Sequence, residues 1–184
     1  MVPARSSRHG ISCSQHLSRT QAEIPLILAV QISRASSKLR ILTIVDTHSR
    51  YSPATDPRFS YRGEDVVQTL EKVCRRAGYP KTIRVDNGSE FISRDLDPWA
   101  YANKVTLDFS RPGKPTDNGF IEAFNSKLRA ECLNAHWFLT LEDAREKLEN
   151  WRRHYNEDRP HSAIGYNVPI ALHNPDGVIS PPLA

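Results

Sequence analysis

The sequence predicts an α/β domain in which a mixed β-sheet is flanked by helices. Its 184 residues, 39% hydrophobic and 25% charged, are enough for one hydrophobic core and are typical of a soluble globular protein. Short β-branched segments alternate with longer segments whose apolar residues recur at helical spacing. We therefore expect one domain over residues 24–172, a disordered leader at 1–23 and an extended tail at 173–184.

Three strands are expected in the first part of the domain. Residues 24–32 form an apolar segment bounded by polar residues, which favours a buried strand, although a turn of helix has the same pattern. Residues 39–46 are rich in β-branched side chains and end on Asp46, which is typical of a strand. A third short strand is expected around residues 51–55.

A helix is predicted after Ser60, and Gly78 and Pro80 are expected to end it. The apolar residues that recur at helical spacing in this segment are Val66, Val67, Leu70, Val73, Cys74 and Ala77. Residues 81–85 follow as a strand. The succession of strand, helix and strand indicates a crossover helix and a parallel pairing.

The next elements are a short helix and a strand. Ser93 is suited to cap a helix that runs to about Lys104, with Pro98 in or near its first turn. Residues 105–109 are predicted to form a strand, and the composition of residues 110–119 indicates a loop.

Two amphipathic helices are predicted near the end of the domain. The first carries one apolar stripe, formed by Ile121, Phe124 and Leu128. Thr140 caps the second, whose stripe is formed by Leu141, Ala144, Leu148, Trp151 and Tyr155. That second stripe suits either the core or an oligomer interface. From Arg159 onward the prolines predict extended chain.

The net charge of +4 is concentrated near the N-terminus. Five basic residues and one acidic residue occur up to Lys38, and the remaining 20 basic and 20 acidic residues cancel. The domain itself is therefore neutral, and any affinity for DNA must come from the arrangement of its charges.

Cysteine spacing and hydropathy exclude several classes of protein. Cys13, Cys74 and Cys132 lie far apart without a CxxC pair, so neither a disulfide framework nor a zinc site is indicated. The apolar run at residues 24–30 is too short to span a bilayer or to act as a secretory signal. We expect a protein of the reducing cytoplasm.

Two acidic residues are candidate metal ligands. Asp86 ends a predicted strand before a sharp Asn-Gly turn, so its carboxylate should project from the carboxyl edge of the sheet. Glu122 lies in the first turn of a predicted helix, and Asn125 and Arg129 share its face. Each acid by itself also has an ordinary structural role. Asp86 is a typical turn residue, and Glu122 is a typical acid of the first helical turn, where it interacts favourably with the helix dipole.

The spacing and the flanking words favour a joint role for the two acids. Between Asp86 and Glu122 lie 35 residues, Asp86 begins the word DNGSEF, and Glu122 ends the word DNGFIE. A third word, YNEDRPHSAIGYNVP, occupies residues 155–169. Residues 38–172 thereby resemble transposases of bacterial insertion sequences, whose catalytic domain is similar to retroviral integrases and has a ribonuclease H-like fold.

The resemblance implies the chemistry of DNA transposition and integration. It implies that Asp86 and Glu122 are two of three acids holding a two-ion Mg²⁺ or Mn²⁺ site for phosphoryl transfer. It implies DNA contacts for Arg129, Lys114 and Asn125, although a surface salt bridge is an alternative role for the two basic residues. The expected partners are transposon ends, target DNA and further copies of the chain.

One acid of the family pattern is missing. The resemblance implies that the first strand carries the first catalytic Asp. Alignment back from residues 31–32 puts Leu26 at that position, and the nearest acid, Glu23, lies slightly before it in the chain. Asp46 matches a position where the family often carries an additional acid, and we consider it as a substitute ligand. Without a third ligand we expect weak metal binding and very poor strand transfer.

The leader does not resemble the helix-turn-helix segment that precedes this domain in the family. We hypothesise an interrupted or frame-disrupted gene copy, which is overturned if no upstream reading frame restores an acid-bearing first strand. Two other functions stay open at this point. One is a nuclease of the same fold that cuts without joining, and the other is an inactive remnant that binds DNA or partner subunits.

Overall fold

The computed structural model describes residues 26–32, 39–86, 88–110 and 119–173. The leader predicted at residues 1–23 and residues 174–184 of the tail predicted at 173–184 lie outside the described residues, as does most of the predicted loop at 110–119. Among the helices of the described residues, none combines the length and apolar character that a membrane span requires.

The described strands form one mixed sheet. The strands are Leu26–Ile32 (β1), Arg40–Asp46 (β2), Ala54–Arg58 (β3), Thr82–Val85 (β4) and Thr106–Phe109 (β5). Their order across the sheet is β3-β2-β1-β4-β5. β2 is antiparallel to β1 and β3, whereas β4 is parallel to β1 and β5. The mixed sheet predicted from the sequence is confirmed.

Helices cover both faces of this sheet, as predicted. They are Gly63–Ala77 (α1), Leu96–Ala102 (α2), Gly119–Leu128 (α3), Leu141–Glu157 (α4) and Pro169–His173 (α5). α1 and α2 pack on one face, and α3 and α4 pack on the other. A π-helical turn at Arg129–Leu133 continues α3, and a short 3₁₀ turn lies at Ser162–Ile164.

The core divides into two layers because alternate residues of each strand point to opposite faces. On the α1 side, Leu28, Ile44 and Val85 of the sheet pack against Val66 and Leu70 of α1. On the α3 side the buried residues include Ala29, Ile41, Val45, Phe124, Leu128 and Leu148. The predicted stripe of α3 is buried, and so are Ala144, Leu148, Trp151 and Tyr155 of α4. The α4 stripe, which the sequence assigned to either the core or an oligomer interface, therefore lies in the core.

The third strand begins later than the sequence predicted. Its first residue is Ala54, because Ser52 is bound by α4 through hydrogen bonds from its backbone N–H to Asn156 Oδ1 (2.9 Å) and from Arg152 Nη1 to its carbonyl oxygen (2.9 Å). These bonds place Ser52 in the β2–β3 connection. A contact between residues so distant in sequence has no local signal.

Two further expectations need correction. β3 and β4 have the same direction, but β4 pairs with β1 and β5, so the crossover through α1 passes over two strands. The chain after Arg159 is not simply extended, because it forms the 3₁₀ turn and α5. Pro169 is the first residue of α5, where the missing N–H of proline costs no helical hydrogen bond.

Candidate functional site

Asp86 follows directly after β4 and is half-buried. Its Oδ1 accepts a hydrogen bond from the backbone N–H of Gly88 at 3.0 Å. Burial is the main cause that raises the pKa of its carboxyl above the ordinary value, and the Gly88 bond only partly opposes it. A partly desolvated carboxylate of this kind is stabilised by a cation that comes to it.

Glu90 adds negative charge beside Asp86. It contributes to the raised pKa of Asp86, and Gly88 lies between the two side chains. A Cβ atom on Gly88 would lie 2.9 Å from Asp86 Oδ1 and 3.0 Å from Glu90 Cδ, so a larger residue there would displace one of the two carboxylates. Glu90 belongs to the word DNGSEF, but the sequence by itself does not indicate a role for it at the site.

The register of the parallel strands shows which residues lie level with Asp86. Leu28 pairs with Val85, so Asp86 lies level with the next residue of β1, Ala29. Ile83 and Val85 point into the α1 side of the core, and alternation directs Asp86 to the α3 side. Ala29 is buried on that same side.

Glu122 is exposed in the first turn of α3. One turn later, Asn125 Oδ1 lies 3.0 Å from Thr43 Oγ1, which is also 3.1 Å from the carbonyl oxygen of Ala29. The start of α3 therefore crosses the sheet at the level of Ala29, where β4 ends. The fold brings Asp86 and the first turns of α3 to one region of the sheet.

The structure shows where Leu26, the expected position of the first acid, lies. Leu26 pairs with Ile83, three residues before Asp86, and is buried on the α1 side of the core. Ala29 is the β1 residue that lies beside Asp86. Neither is acidic, and the whole of β1, with the sequence LILAVQI, contains no carboxylate.

Asp46 is placed away from Asp86. Asp46 is the last residue of β2 and pairs with Leu26, which in turn pairs with Ile83 of β4. Asp86 lies three residues beyond Ile83 and two strands away from Asp46. At standard strand spacing this separation corresponds to roughly 14 Å between the two backbones. Burial by itself raises the pKa of Asp46, but the contact with His173 at 3.7 Å and the hydrogen bonds from Ser49 and the backbone N–H of His48 outweigh it and hold the pKa below the ordinary value. This geometry counts against Asp46 as a ligand shared with Asp86.

The three residues predicted to contact DNA have different environments. Arg129 is partly buried at the start of the π-helical turn, and none of the ion pairs found among the described residues includes it. Asn125 is engaged with Thr43 on the sheet side of α3. Lys114 lies outside the described residues.

An aromatic cluster supports α3 from the side of α4. Phe124 contacts Trp151 and Tyr155 edge-on, with ring centroids 5.4 and 4.9 Å apart, and Tyr155 contacts His161 at 4.5 Å. Such pairs have preferred geometries that restrict movement of the helix. The third sequence word, at residues 155–169, thus includes residues that hold the helix bearing Glu122.

The sequence does not predict a role for two buried polar residues of α4. Arg152 is fully buried, forms a two-pronged ion pair with Glu149 at 2.8 and 2.7 Å, and donates to Ser52. Asn156 is also buried and bonds both the N–H and the carbonyl oxygen of Ser52. Their spacing on the apolar stripe of α4 was a signal that they face the core.

The oxygen donors of Asp86 and Glu122 suit Mg²⁺ or Mn²⁺, which take carboxylates and retain several waters. The raised pKa of Asp86 and the nearby Glu90 agree with a place for a cation. Within the part of the chain that the structure describes, no three His, Cys, Asp or Glu side chains are grouped as a metal ion requires. Among the described residues, Asp86 and Glu122 are thus candidate ligands without a third acid grouped beside them.

Comparison with family models gives two overlapping matches. Residues 20–115 and residues 103–169 each match a model described as integrase core domain. Together they include β1 to α4 and all the candidate acids.

Relatives are found among bacterial insertion elements. An uncharacterized 31.7 kDa protein of insertion element IS407 from Burkholderia multivorans is 48% identical over 132 residues, which are 72% of this chain and 48% of the relative. An uncharacterized 39.2 kDa protein of insertion element IS476 from Xanthomonas euvesicatoria is 42% identical over 128 residues, 70% of this chain and 37% of the relative. The chain thus spans about half or less of the length of these relatives.

Solved structures of viral integrases have a similar fold. The simian T-cell lymphotropic virus intasome in complex with PP2A regulatory subunit B56 gamma gives a TM-score of 0.71 at 16% identity, covering 83% of this chain and 54% of that one. The trimeric form of the HTLV-2 integrase catalytic core domain in complex with magnesium gives 0.66 at 14% identity, covering 83% and 97%. At such identities the likeness establishes the ribonuclease H-like fold alone.

Proposed function

Because the chain belongs to the integrase core domain family, we propose that it is the catalytic-core fragment of an insertion-sequence transposase. The proposed reaction is DNA strand cleavage and joining by metal-dependent phosphoryl transfer. The observation that carries this proposal is the β1–β4 register, which supports a shared site for Asp86 and the start of α3 at one edge of the integrase fold.

In this proposal Asp86 and Glu122 hold divalent metal. The metal, when bound, supplies stabilisation of the attacking and leaving oxygens during phosphoryl transfer. The HTLV-2 neighbour is described with magnesium, which supports Mg²⁺ as the ion, with Mn²⁺ as a substitute and two ions as the full complement. Glu90 increases the negative charge around Asp86 and so favours the bound ion.

The remaining residues position the DNA. Arg129, Lys114 and Asn125 are proposed to contact the DNA backbone, and water or a DNA 3′-hydroxyl is the nucleophile. The proposed partners are transposon ends, target DNA and further copies of the chain. The proposed location is the bacterial cytoplasm.

The lack of a carboxylate in β1 limits the proposed activity. A site with two protein acids holds metal less tightly than one with three, so turnover is expected to be low. This same observation favours a second candidate, a non-catalytic remnant that retains DNA binding or self-association.

The test is a cleavage and joining assay with the whole 184-residue chain. The chain is incubated with MnCl₂ or MgCl₂ and labelled duplexes that carry the terminal sequences flanking its gene. We expect weak metal-dependent products that disappear in the double variant Asp86→Asn, Glu122→Gln. The matched control is Glu142→Gln, which changes an exposed acid on α4.

The products distinguish the candidate functions. Joined products support the transposase, whereas cleavage without joining indicates a nuclease of the same fold. DNA binding that is equal in the parent and the double variant, with cleavage by neither, indicates the non-catalytic remnant.

A further inference from the structure

Arg50 occupies a strained position in the β2–β3 turn. Its φ is 64°, in the left-handed region that residues with a Cβ rarely adopt. The turn is closed by hydrogen bonds from Arg50 N to Asp46 O (2.9 Å) and from Asp46 N to Tyr51 O (2.8 Å). Non-glycine residues in this conformation occur disproportionately at functional sites.

The guanidinium of Arg50 lies against the start of α3. Its Cζ is 3.7 Å from the centroid of the Phe120 ring, two residues before Glu122. Nε and Nη1 are buried and have no hydrogen-bond partner among the described residues. Buried N–H groups are normally hydrogen-bonded, so leaving these two without an acceptor is costly unless an anion completes them.

The groups facing Arg50 do not supply that anion. Burial lowers the pKa of Arg50, while Tyr155 and Asp46 act in the opposite direction. Asp46 is the acid that acts on Arg50, but it accepts hydrogen bonds from Ser49 and His48 and forms no ion pair with Arg50 within the described chain. The other neighbours are the Phe120 ring, the Tyr155 phenol and the His161 ring.

We infer that Arg50 binds a backbone phosphate of DNA beside the helix that carries Glu122. Contact with Phe120 restricts the guanidinium, and Nε and Nη1 belong to the planar fork of donors that suits phosphate oxygens. The inference rests on the proposed function, because DNA is the phosphate-bearing substrate of that site. It adds a residue of the β2–β3 turn to those proposed to contact the DNA backbone.

The test measures DNA binding by the whole chain in EDTA, so that metal binding at Asp86 and Glu122 does not contribute. A fluorescein-labelled duplex is titrated at several salt concentrations with the parent chain, Arg50→Gly and Arg50→Gln. Loss of one phosphate contact should reduce the slope of log K against log salt by about 0.9. Arg75→Gln, an exposed arginine on α1, is the control of equal charge change and should leave the slope nearly unchanged.

Thermal denaturation provides the second measurement. Arg50→Gly relieves the left-handed backbone and removes two buried N–H groups that have no partner among the described residues, so its Tm should equal or exceed that of the parent. A purely structural Arg50 predicts the reverse pattern, a lower Tm with an unchanged salt slope, and this result overturns the inference. The inference is equally overturned if inorganic phosphate raises the Tm of the parent but not of Arg50→Gly, with the DNA slope unchanged.

The outcomes separate this inference from the proposed function. An unchanged slope in a chain that performs metal-dependent joining rejects the role of Arg50 alone. A reduced slope in a chain without cleavage or joining rejects the catalytic function and supports the phosphate contact. A parent chain that does not bind DNA rejects both.

Discussion

Asp46 and Asp86 each stand at the carboxyl end of a strand and precede a turn, yet their environments are opposite. Asp46 is 1% exposed and accepts hydrogen bonds from His48 and Ser49 within its own turn. Asp86 is half-buried and, within the described chain, accepts one hydrogen bond, from Gly88. The pKa of Asp46 is lowered, whereas that of Asp86 is raised.

The contrast separates a structural acid from a ligand. A carboxylate whose oxygens are satisfied by its own turn stabilises the fold and has little capacity left for a metal. A carboxylate that is desolvated without full compensation gains from an external cation. Sequence position alone does not distinguish the two aspartates, because each follows a β-branched strand.

The largest expected effect is on stability at Asp46. Asp46→Ala leaves the buried hydroxyl of Ser49 and the N–H of His48 without their acceptor, so the free energy of unfolding should fall by about 2–4 kcal/mol. Asp86→Ala in the absence of metal should change it by less than about 0.5 kcal/mol. Urea denaturation of both variants measures the difference, and equal losses would remove the distinction between the two acids.

The next effect concerns metal binding at Asp86. When metal is present at about 100 times its Kd, it should stabilise the parent chain by about 2.7 kcal/mol. Asp86→Asn should lose most of this metal-induced rise in Tm, and without metal it should be as stable as the parent, because a raised pKa means that the charged form is disfavoured in the fold. Thermal shift with MnCl₂ tests this. A full metal response in Asp86→Asn contradicts the proposed site.

A smaller effect is expected from restoring an acid in β1. Ala29→Asp places a carboxylate level with Asp86 on the α3 side, so metal affinity should rise about tenfold, or 1.4 kcal/mol. Leu26→Asp is the matched control, since Leu26 is buried on the α1 side and should lose stability without gaining metal affinity. Calorimetric titration decides between them, and a gain only in Leu26→Asp would reject the observed register.

The smallest effect is a pH dependence of metal binding. Protons compete with metal at Asp86, and because its pKa is raised, this competition begins at a higher pH than for an ordinary aspartate, whose pKa is about 3.9. The metal-induced rise in Tm should therefore shrink as the pH falls from about 7 toward 4.5. Asp46 has a lowered pKa and stays ionised over that range, so its contribution to stability is lost only as the pH falls from about 3.9 downward. A metal response that is constant down to pH 4.5 would count against Asp86 as a ligand.

Much of the fold was predictable because its signals are local. The apolar stripe of α4 and its Thr140 cap were evident from spacing, and the structure has Thr140 Oγ1 accepting from the N–H of Asp143 at 3.1 Å. The start of β3 was not predictable in this way. It depends on Ser52 and Asn156, which lie 104 residues apart in the chain.

The candidate site likewise contains residues that could be predicted from nearby sequence and residues that could not. Asp86 and Glu122 were selected from a strand end, a first helical turn and their separation, all of which are properties of nearby sequence. Sequence alignment puts the family's first acid at about Leu26, whereas Ala29 is the β1 residue level with Asp86, because one strand does not encode its alignment with another. Arg50 was not selected at all, since neither its backbone conformation nor its contact with Phe120 has a local pattern.

The sequence by itself determined the α/β class, the order of helices and strands, the two candidate acids and the absence of a carboxylate in β1. Periodicity, caps and turn residues act between neighbours in the chain, so they can be recognised without coordinates. Only the tertiary structure decided that Ala29 lies level with Asp86, that Asp46 lies two strands away from Asp86 and that Arg50 stacks on the helix of Glu122. These are relations of register and packing between distant segments, and the free energy that selects them is shared over the whole core.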